Sequence, residues 1–300
     1  MRPVIFICIF VLFLLENILT VLSFICCSTM SIEARNFTRS FAGVNPSRTL
    51  HQNPVSSHFY NALSMLFPEG ERFFIRSVKQ FAHMVKDPGL LEDIKGFTKQ
   101  EIHHGQTHSQ MNDNVRQHGY DTSLIDQGLE VFLELTEKHL NNIDQHVGLS
   151  ITAAMEHFTA VWSEWILDNP EYFENCDETT ANLMMYHSVE EVEHKHVAFD
   201  VYRAAGGSEL TRGVGMALAT LFLWGGGAAA TAYLLAQDKS LTLGDIIAGI
   251  IDLADRNSTL TSRFLAEIVR YYAPDFHPDE RDYSALIDKY NTELQIRDSA

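Results

Sequence analysis

Apolar side chains recur at the three- and four-residue spacing of amphipathic helices along most of this chain, and no stretch alternates like a β-strand. The helices predicted from these stripes run from Ser57 to Pro68, from Pro68 to about Lys86, from Leu90 to His118, from Ser123 to Leu140, from Val147 to Leu167 and from Asp177 to Ala205. Proline lacks a backbone N–H and crowds the preceding turn, so Pro68 is expected to separate the first two helices. The pattern predicts an all-α protein.

Two stretches without this amphipathic pattern stand out. Residues 3–27 form an apolar run broken only by Glu16 and Asn17, which is typical of a signal peptide or membrane anchor, or else of an over-extended gene whose true start is Met30. Residues 213–235 carry no charged side chain over 23 positions, a length that suits a membrane span or a buried helical hairpin. We favour membrane contact for this second stretch.

The chain divides into five predicted parts. They are a signal, anchor or mis-assigned extension at 1–29, an N-terminal arm at 30–57, a helical bundle at 58–206, apolar helices at 207–256 and a polar tail at 257–300. Scattered Asn, Pro, Ser and Arg without a period mark the arm, whereas Asp, Arg and Tyr mark the tail.

Composition narrows the possible functions. The chain has 300 residues, 46% of them apolar, which suits one large catalytic domain with appendages. Its 39 acidic and 22 basic residues give a net charge of −17, which argues against nucleic acid because phosphate-binding proteins need a basic face. Beyond residue 27 the one cysteine is Cys176, so neither a disulfide framework nor a cysteine zinc site is predicted. The 14 histidines are many for such a domain.

The last of the predicted amphipathic helices carries the strongest candidate chemistry. At 3.6 residues per turn, His187, Glu191 and His194 fall within roughly 60° of one another on one helix face. Two imidazoles and a carboxylate would then converge on one point. Glu193 and Lys195 are expected on the solvated face of the same helix.

Other predicted helices supply matching residues. The full set comprises Glu71, the pair Glu101 and His104, Glu156, and the pair Glu191 and His194. Each Glu-x-x-His pair puts an oxygen and a nitrogen ligand on one face, and the single glutamates are expected to bridge or close the cluster. Such an arrangement builds a two-metal site in a four-helix bundle. Four carboxylates balance two divalent cations, and the donor set suits iron or manganese, with zinc open.

Alternatives stay open at three candidate positions. Glu71 would follow Pro68 in a first helical turn, so it could instead complement the helix dipole, with Glu69 as the substitute ligand. His108 lies one turn beyond the first Glu-x-x-His pair and is expected to be a hydrogen-bonded core histidine rather than a ligand. His187 is open between a third histidine ligand and a core residue.

Neighbours of the ligand set have predicted roles as well. Glu190 is expected to accept a proton from the non-ligating nitrogen of His104 and so to orient that ring. Glu190 and His187 are therefore the catalytic candidates outside the common ligand set. Three aromatic residues are predicted to belong to the core first and to a substrate channel second: Phe158, Trp162 and Trp165.

Four short motifs carry a family resemblance. They are Phe67–Phe74, Gln100–Gly105, Met155–Ala160 and Glu190–Lys195. On these motifs the chain resembles the bacterial predicted metal-dependent hydrolases, whose members are ferritin-like, over Asn45 to Asp200 and more loosely beyond. Together with the helix pattern, this resemblance implies a ferritin-like four-helix bundle with extra helices and an apolar C-terminal helical hairpin.

The ligand pattern is also similar to that of di-iron oxygenases and ribonucleotide reductase small subunits, with Glu190 where those proteins have Asp. His187, four residues before Glu191, looks like the extra histidine of arylamine N-oxygenases. These likenesses imply a di-iron centre that activates dioxygen to oxidise a small or apolar organic substrate. The family name implies the alternative, a hydrolase that uses a metal-bridged water. A non-catalytic iron-binding bundle is the third hypothesis.

The expected partners are a small-molecule substrate, dioxygen and an electron donor that the sequence does not identify. Nucleic acid is not expected, whereas membrane contact and a homodimer stay open. Either the cytoplasm or a membrane surface would suit such a chain.

Overall fold

All regular secondary structure in residues 32–298, the part of the chain that this computed structural model describes, is helical. The helices are α1 (Pro54–Phe81), α2 (Pro88–Gln117), α3 (Ser123–Leu135), α4 (Val147–Asp168), α5 (Glu178–His194), α6 (Val197–Ala204), α7 (Glu209–Thr220), α8 (Gly227–Gln237), α9 (Leu243–Arg256), α10 (Ser258–Tyr271) and α11 (Ser284–Asp298). The π-helical segments Thr136–Leu140 and Leu221–Gly226 follow α3 and α7. The all-α prediction is confirmed, and the segment predicted at 1–29 lies outside the described residues.

Helices α1, α2, α4 and α5 form a four-helix bundle around an apolar core. Helix α1 packs along α2, α4 packs along α5, and contacts of α1 with α4 and of α2 with α5 close the bundle. Each helix buries the apolar stripe that its sequence predicts, with Phe74 from α1, Phe97 from α2, Phe158 from α4 and Val189 from α5 inside. Polar residues that share these stripes are therefore carried into the interior as well.

Pro68 lies inside α1 and does not end it, so the predicted break at this residue is wrong. Without an N–H, Pro68 leaves the carbonyl of Ser64, one turn earlier, without its helical donor. The side chain of Asn112 on α2 supplies the missing hydrogen bond, because its Nδ2 donates to the Ser64 carbonyl at 2.9 Å. Asn112, which lies 48 positions after Ser64, thus lets the helix continue to Phe81.

The helix predicted from Asp177 to Ala205 is divided into α5 and α6 by a break at Lys195 and His196. Asp177 caps its start by accepting a hydrogen bond from the backbone N–H of Thr180 at 2.8 Å. At the break, the ammonium of Lys195 donates to Glu164 at 3.1 Å. Lys195 is only 4% exposed, so the predicted solvated position is wrong for this residue.

The uncharged stretch lies in one helical run, Glu209–Gln237, that includes α7, the second π-helical segment and α8. This run packs on α4 and α1, and only 28% of its most apolar window is buried. By length and composition alone it could cross a membrane. Helix α9 follows it and packs on α1.

The predicted polar tail contributes to the core. Helix α10 packs on α4 and α11 packs on α5. Phe264, Tyr271 and Tyr290 of these helices are buried. The buried guanidinium of Arg212 on α7 donates to the backbone carbonyl of Tyr271, which ties the two ends of the C-terminal region together. The five-part division of the chain itself stays a prediction.

Candidate metal centre

Buried acidic and histidine side chains from all four bundle helices meet in the middle of the bundle. They are Glu71 from α1, Glu101 and His104 from α2, Glu156 from α4, and Glu191 and His194 from α5. In two groups, one of Glu71, Glu101 and His104 and one of Glu101, Glu156 and His194, the candidate ligand atoms lie within 4.8 Å of one another. The structure therefore brings together the residues that the two Glu-x-x-His pairs and the single glutamates predicted.

Glu71 owes its position to the uninterrupted course of α1. It lies inside that helix and is 1% exposed, so it does not stand in a first turn where it would complement a helix dipole. Glu69, the substitute candidate, is exposed and pairs with Arg72. Gly105 on α2 makes room for Glu71, because a Cβ atom there would lie 3.0 Å from the Oε2 of Glu71.

Glu101 and Glu191 lie between the two histidines. The Oε1 atom of Glu101 is 3.3 Å from Nδ1 of His104 and 3.4 Å from Nε2 of His194. Glu191 reaches the same two nitrogens, with Oε1 3.7 Å from the first and Oε2 3.4 Å from the second. Glu156 lies beside His194 at 3.2 Å. Glu101 and Glu191, the glutamates of the Glu-x-x-His pairs, thus lie between the two histidines. The single glutamates, Glu71 and Glu156, do not.

Several polar atoms at the centre are buried without a hydrogen bond. They include both carboxylate oxygens of Glu71, Oε1 of Glu101, Nδ1 of His104, Oε2 of Glu156 and Nε2 of His194. Leaving a buried polar atom without a partner costs about 1–3 kcal/mol, and more if the group is charged. Oxygen and imidazole donors that face one another and lack partners match the requirements of a divalent metal ion. The residues present therefore fit a metal site.

Burial and mutual charge perturb the protonation of this cluster. Burial raises the pKa of Glu156 to about 8, and the charge of Glu101 adds to that effect. Burial and the same neighbour raise the pKa of Glu71 well above its usual range. Burial alone would lower the pKa of His194, but Glu191 and Glu156 outweigh it and raise that pKa. The cluster therefore holds extra protons that divalent cations would displace on binding.

The ring nitrogens that face away from the centre are held by neighbouring side chains. Nε2 of His104 lies 2.9 Å from Glu190, the neighbour expected from the sequence. Nδ1 of His194 donates to Oε1 of Gln100 at 2.8 Å. With the ring N–H on these outward nitrogens, Nδ1 of His104 and Nε2 of His194 face the centre and can each offer a lone pair once a cation displaces the extra protons.

Arg35, in the N-terminal arm, supports this arrangement and was not anticipated from the sequence. Its backbone N–H donates to Glu190 at 2.7 Å, and its guanidinium donates to Glu193 at 2.8 Å. Glu193 also accepts from Gln100 at 2.8 Å, so its predicted solvated position is wrong. Burial would raise the pKa of Glu190, but His104 and Arg35 outweigh it and lower that pKa. The arm has no hydrophobic period, so no sequence pattern indicates the role of Arg35.

A chain of hydrogen bonds runs from α1 to His187. Asn112 donates through Nδ2 to the Ser64 carbonyl, so its Oδ1 accepts the Ser64 hydroxyl proton at 2.7 Å. Because that proton is used, the Ser64 oxygen accepts from Nδ1 of His108 at 2.9 Å. Nε2 of a neutral His108 then accepts from Nδ1 of His187 at 2.9 Å. His187 consequently turns the lone pair of Nε2 toward Oε1 of Glu191, 2.6 Å away.

This directionality requires both histidines of the chain to be neutral. Burial lowers the pKa of His108 well below its usual range, and the neighbouring His187 and His104 add to the effect. Burial and His104 also lower the pKa of His187. The 2.6 Å separation of Nε2 of His187 and Oε1 of Glu191 is a hydrogen-bond distance, so in metal-free protein a proton lies between these two atoms, and a bound cation would displace it. His108 is thus a buried histidine that hydrogen-bonds to Ser64 and His187, whereas His187 faces the centre.

Comparison with known proteins identifies a family. A family model described as "Predicted metal-dependent hydrolase" matches residues 33–282, a range that includes the whole centre and Arg35. The resemblance seen in the four motifs is thereby confirmed. No curated protein and no solved structure matches the chain.

Proposed function

Because the chain belongs to the family of predicted metal-dependent hydrolases, we propose that it is a metal-dependent hydrolase whose centre holds two divalent cations. The observation that carries this proposal is the convergence of buried donor atoms without hydrogen bonds from four helices. The proposed ligands are Glu71, Glu101, His104, Glu156, Glu191 and His194. Four carboxylates and two divalent cations make the site formally neutral, which permits its burial. We propose iron first, with manganese or zinc as alternatives.

We propose His187 as a further ligand, on the side of His104. The rings of these two residues have centroids 4.0 Å apart. The hydrogen-bond direction set by Asn112, Ser64 and His108 supports this role, because it turns the lone pair of Nε2 of His187 toward the centre. A third imidazole would add a donor without adding charge.

Bound cations would polarise a carbonyl or phosphoryl oxygen and lower the pKa of a water molecule. In the hydrolysis, the water oxygen bonds to the acyl or phosphoryl centre, and the leaving alcohol departs with a proton. The chain supports this chemistry through positioning. Glu190 and Arg35 fix the ring of His104, Gln100 fixes His194, and the hydroxyl of Thr159 donates to Oε2 of Glu191.

A second candidate reaction is oxidation of an organic substrate by dioxygen, with two electrons from an external donor. The observation that favours it is His187, because a neutral third imidazole suits iron and meets no evident need of a hydrolytic site. The family match supports hydrolysis better. The non-catalytic iron-binding bundle is the remaining alternative.

Two assays on the same preparation separate these reactions. Protein loaded with zinc, manganese or iron is tested for cleavage of p-nitrophenyl butyrate and bis-p-nitrophenyl phosphate, and reduced iron-loaded protein is tested for dioxygen uptake. We expect metal-dependent hydrolysis that Glu191→Ala abolishes and that Glu178→Ala, an exposed position on the same helix, leaves intact. Dioxygen uptake without hydrolysis would replace the proposal with the oxidative one. Metal binding without either activity would favour the non-catalytic bundle.

A further inference from the structure

An apolar cavity of about 330 Å³ lies beside the candidate metal centre. Helices α1, α3, α4, α9 and α10 and the second π-helical segment line it, largely through aromatic and aliphatic side chains. Among the described residues, no Asp, Glu, Lys, Arg or His side chain faces this space. Burial raises the pKa of Tyr172 to about 12 and also raises that of Tyr60, so both phenols in the lining are neutral.

A second, smaller cavity of about 40 Å³, which we call the neck, adjoins this one on the side of the centre. Four residues line both the cavity and the neck: Tyr60, Phe67, Thr159 and Trp162. His187 and Glu191 of the centre also line the neck. A molecule that occupied the cavity and extended into the neck would present one end to the proposed ligands.

The opposite end of the cavity reaches the surface. Trp224 in the π-helical segment is 38% exposed and Ile250 on α9 is 52% exposed, yet both line the cavity. Ala254 and Thr261 are likewise exposed lining residues. The π-helical segment, α9 and the start of α10 thus frame an entrance from solvent.

We propose that this cavity binds the body of the substrate, an uncharged apolar molecule about the size of two fused aromatic rings or a medium-length hydrocarbon chain. Ligand sites are commonly ~300–1,000 Å³, and an apolar cavity of ~150 Å³ binds benzene. A charged substrate would lose its hydration without meeting a counter-charge. The inference rests on the proposed function only in taking the metal centre as the place of reaction.

The neck also selects the reactive group. Trp162 lines both the cavity and the neck, and its indole N–H is buried without a hydrogen-bond acceptor. Since this group is only a donor, its complement is an acceptor oxygen such as that of an ester or other carbonyl. The substrate class is therefore an apolar molecule with one uncharged acceptor group at its inner end.

Binding of N-phenyl-1-naphthylamine, an uncharged apolar fluorophore, tests the site without any turnover. Gly70 lines the cavity and an added Cβ there meets no atom, so Gly70→Phe fills the space from within. Gly128→Phe is the matched control. Gly128 is also a helical glycine at which an added Cβ meets no atom, but it does not line the cavity. At the entrance, Ala254→Trp is compared with Ala248→Trp, an exposed position on the same helix away from the cavity.

We expect saturable binding of one fluorophore per chain, with Kd raised by about tenfold or more, equivalent to ~1.4 kcal/mol, in Gly70→Phe and in Ala254→Trp. Both control variants should bind like the wild type. The same Kd in the wild type, the two cavity variants and the two controls would place the fluorophore on the outer surface and overturn the inference. Metal content and ester cleavage are measured separately, so failure of the proposed reaction leaves a positive binding result intact.

Discussion

The hydrogen bond from Asn112 to the Ser64 carbonyl replaces the one that Pro68 cannot donate. We expect it to stabilise the fold, and substitutions of Asn112 and Pro68 test this. Asn112→Ala removes the donor to the Ser64 carbonyl and the acceptor of the Ser64 hydroxyl, bonds of 2.9 and 2.7 Å between buried groups. Leaving the carbonyl without a donor costs about 1–3 kcal/mol, and losing the second bond costs about 1 kcal/mol. We expect Asn112→Ala to lower the free energy of unfolding by about 2–4 kcal/mol.

Pro68→Ala restores a backbone N–H that can donate to the same Ser64 carbonyl. In that background Asn112→Ala leaves no unsatisfied carbonyl, so its cost should fall by about 1 kcal/mol or more, beyond the ~0.3–0.5 kcal/mol scatter of independent sites. The free energies of unfolding of the wild type, the two single variants and the double variant form a double-mutant cycle. They are measured by urea denaturation followed by circular dichroism, on chelator-treated protein so that metal binding does not contribute. Additive effects of the two substitutions would refute the explanation of the uninterrupted α1.

Three further predictions concern the centre and the apolar run. Glu190→Gln should weaken metal binding by roughly 10–100-fold in a chelator competition, because His104 loses its charged partner, whereas the exposed Glu178→Gln should not change it. In metal-free protein, the folded-state pKa of Glu156 of about 8 lies above its unfolded value, so its contribution to stability is complete below the unfolded pKa and is lost as pH rises through 8. Metal-free Glu156→Gln should therefore gain stability relative to the wild type between about pH 5 and 8 in thermal unfolding, and a pH-independent difference would contradict this assignment. Protein lacking residues 1–29 should co-sediment with phosphatidylcholine vesicles if the Glu209–Gln237 run contacts lipid, and a monodisperse preparation that ignores vesicles would exclude that contact.

The positions of the candidate ligands could be predicted because they follow from local geometry. A residue and its third or fourth successor share a helix face, so Glu101 with His104, and His187 with Glu191 and His194, form sets that the sequence displays directly. The apolar stripes of the same helices indicate which face is buried. Sequence spacing and helix periodicity therefore sufficed for the all-α bundle and for the inward position of the cluster.

Features that depend on distant partners could not be predicted in this way. The continuation of α1 through Pro68 needs the side chain of Asn112 on another helix. The burial of Glu193 needs Arg35 and Gln100, which come from the arm and from α2. The cavity is assembled from elements that are far apart in the chain, so no single stripe reveals it.

The number of metal ions bound per chain shows whether the buried carboxylates and histidines form a two-metal centre. We expect about two divalent cations per chain in elemental analysis, held at the centre where Glu101 and Glu191 lie between His104 and His194. Glu101→Ala and Glu191→Ala should each lower that content, while Glu178→Ala should keep it. Full stoichiometry in both centre variants, with folding verified by circular dichroism, would contradict the assignment of the site.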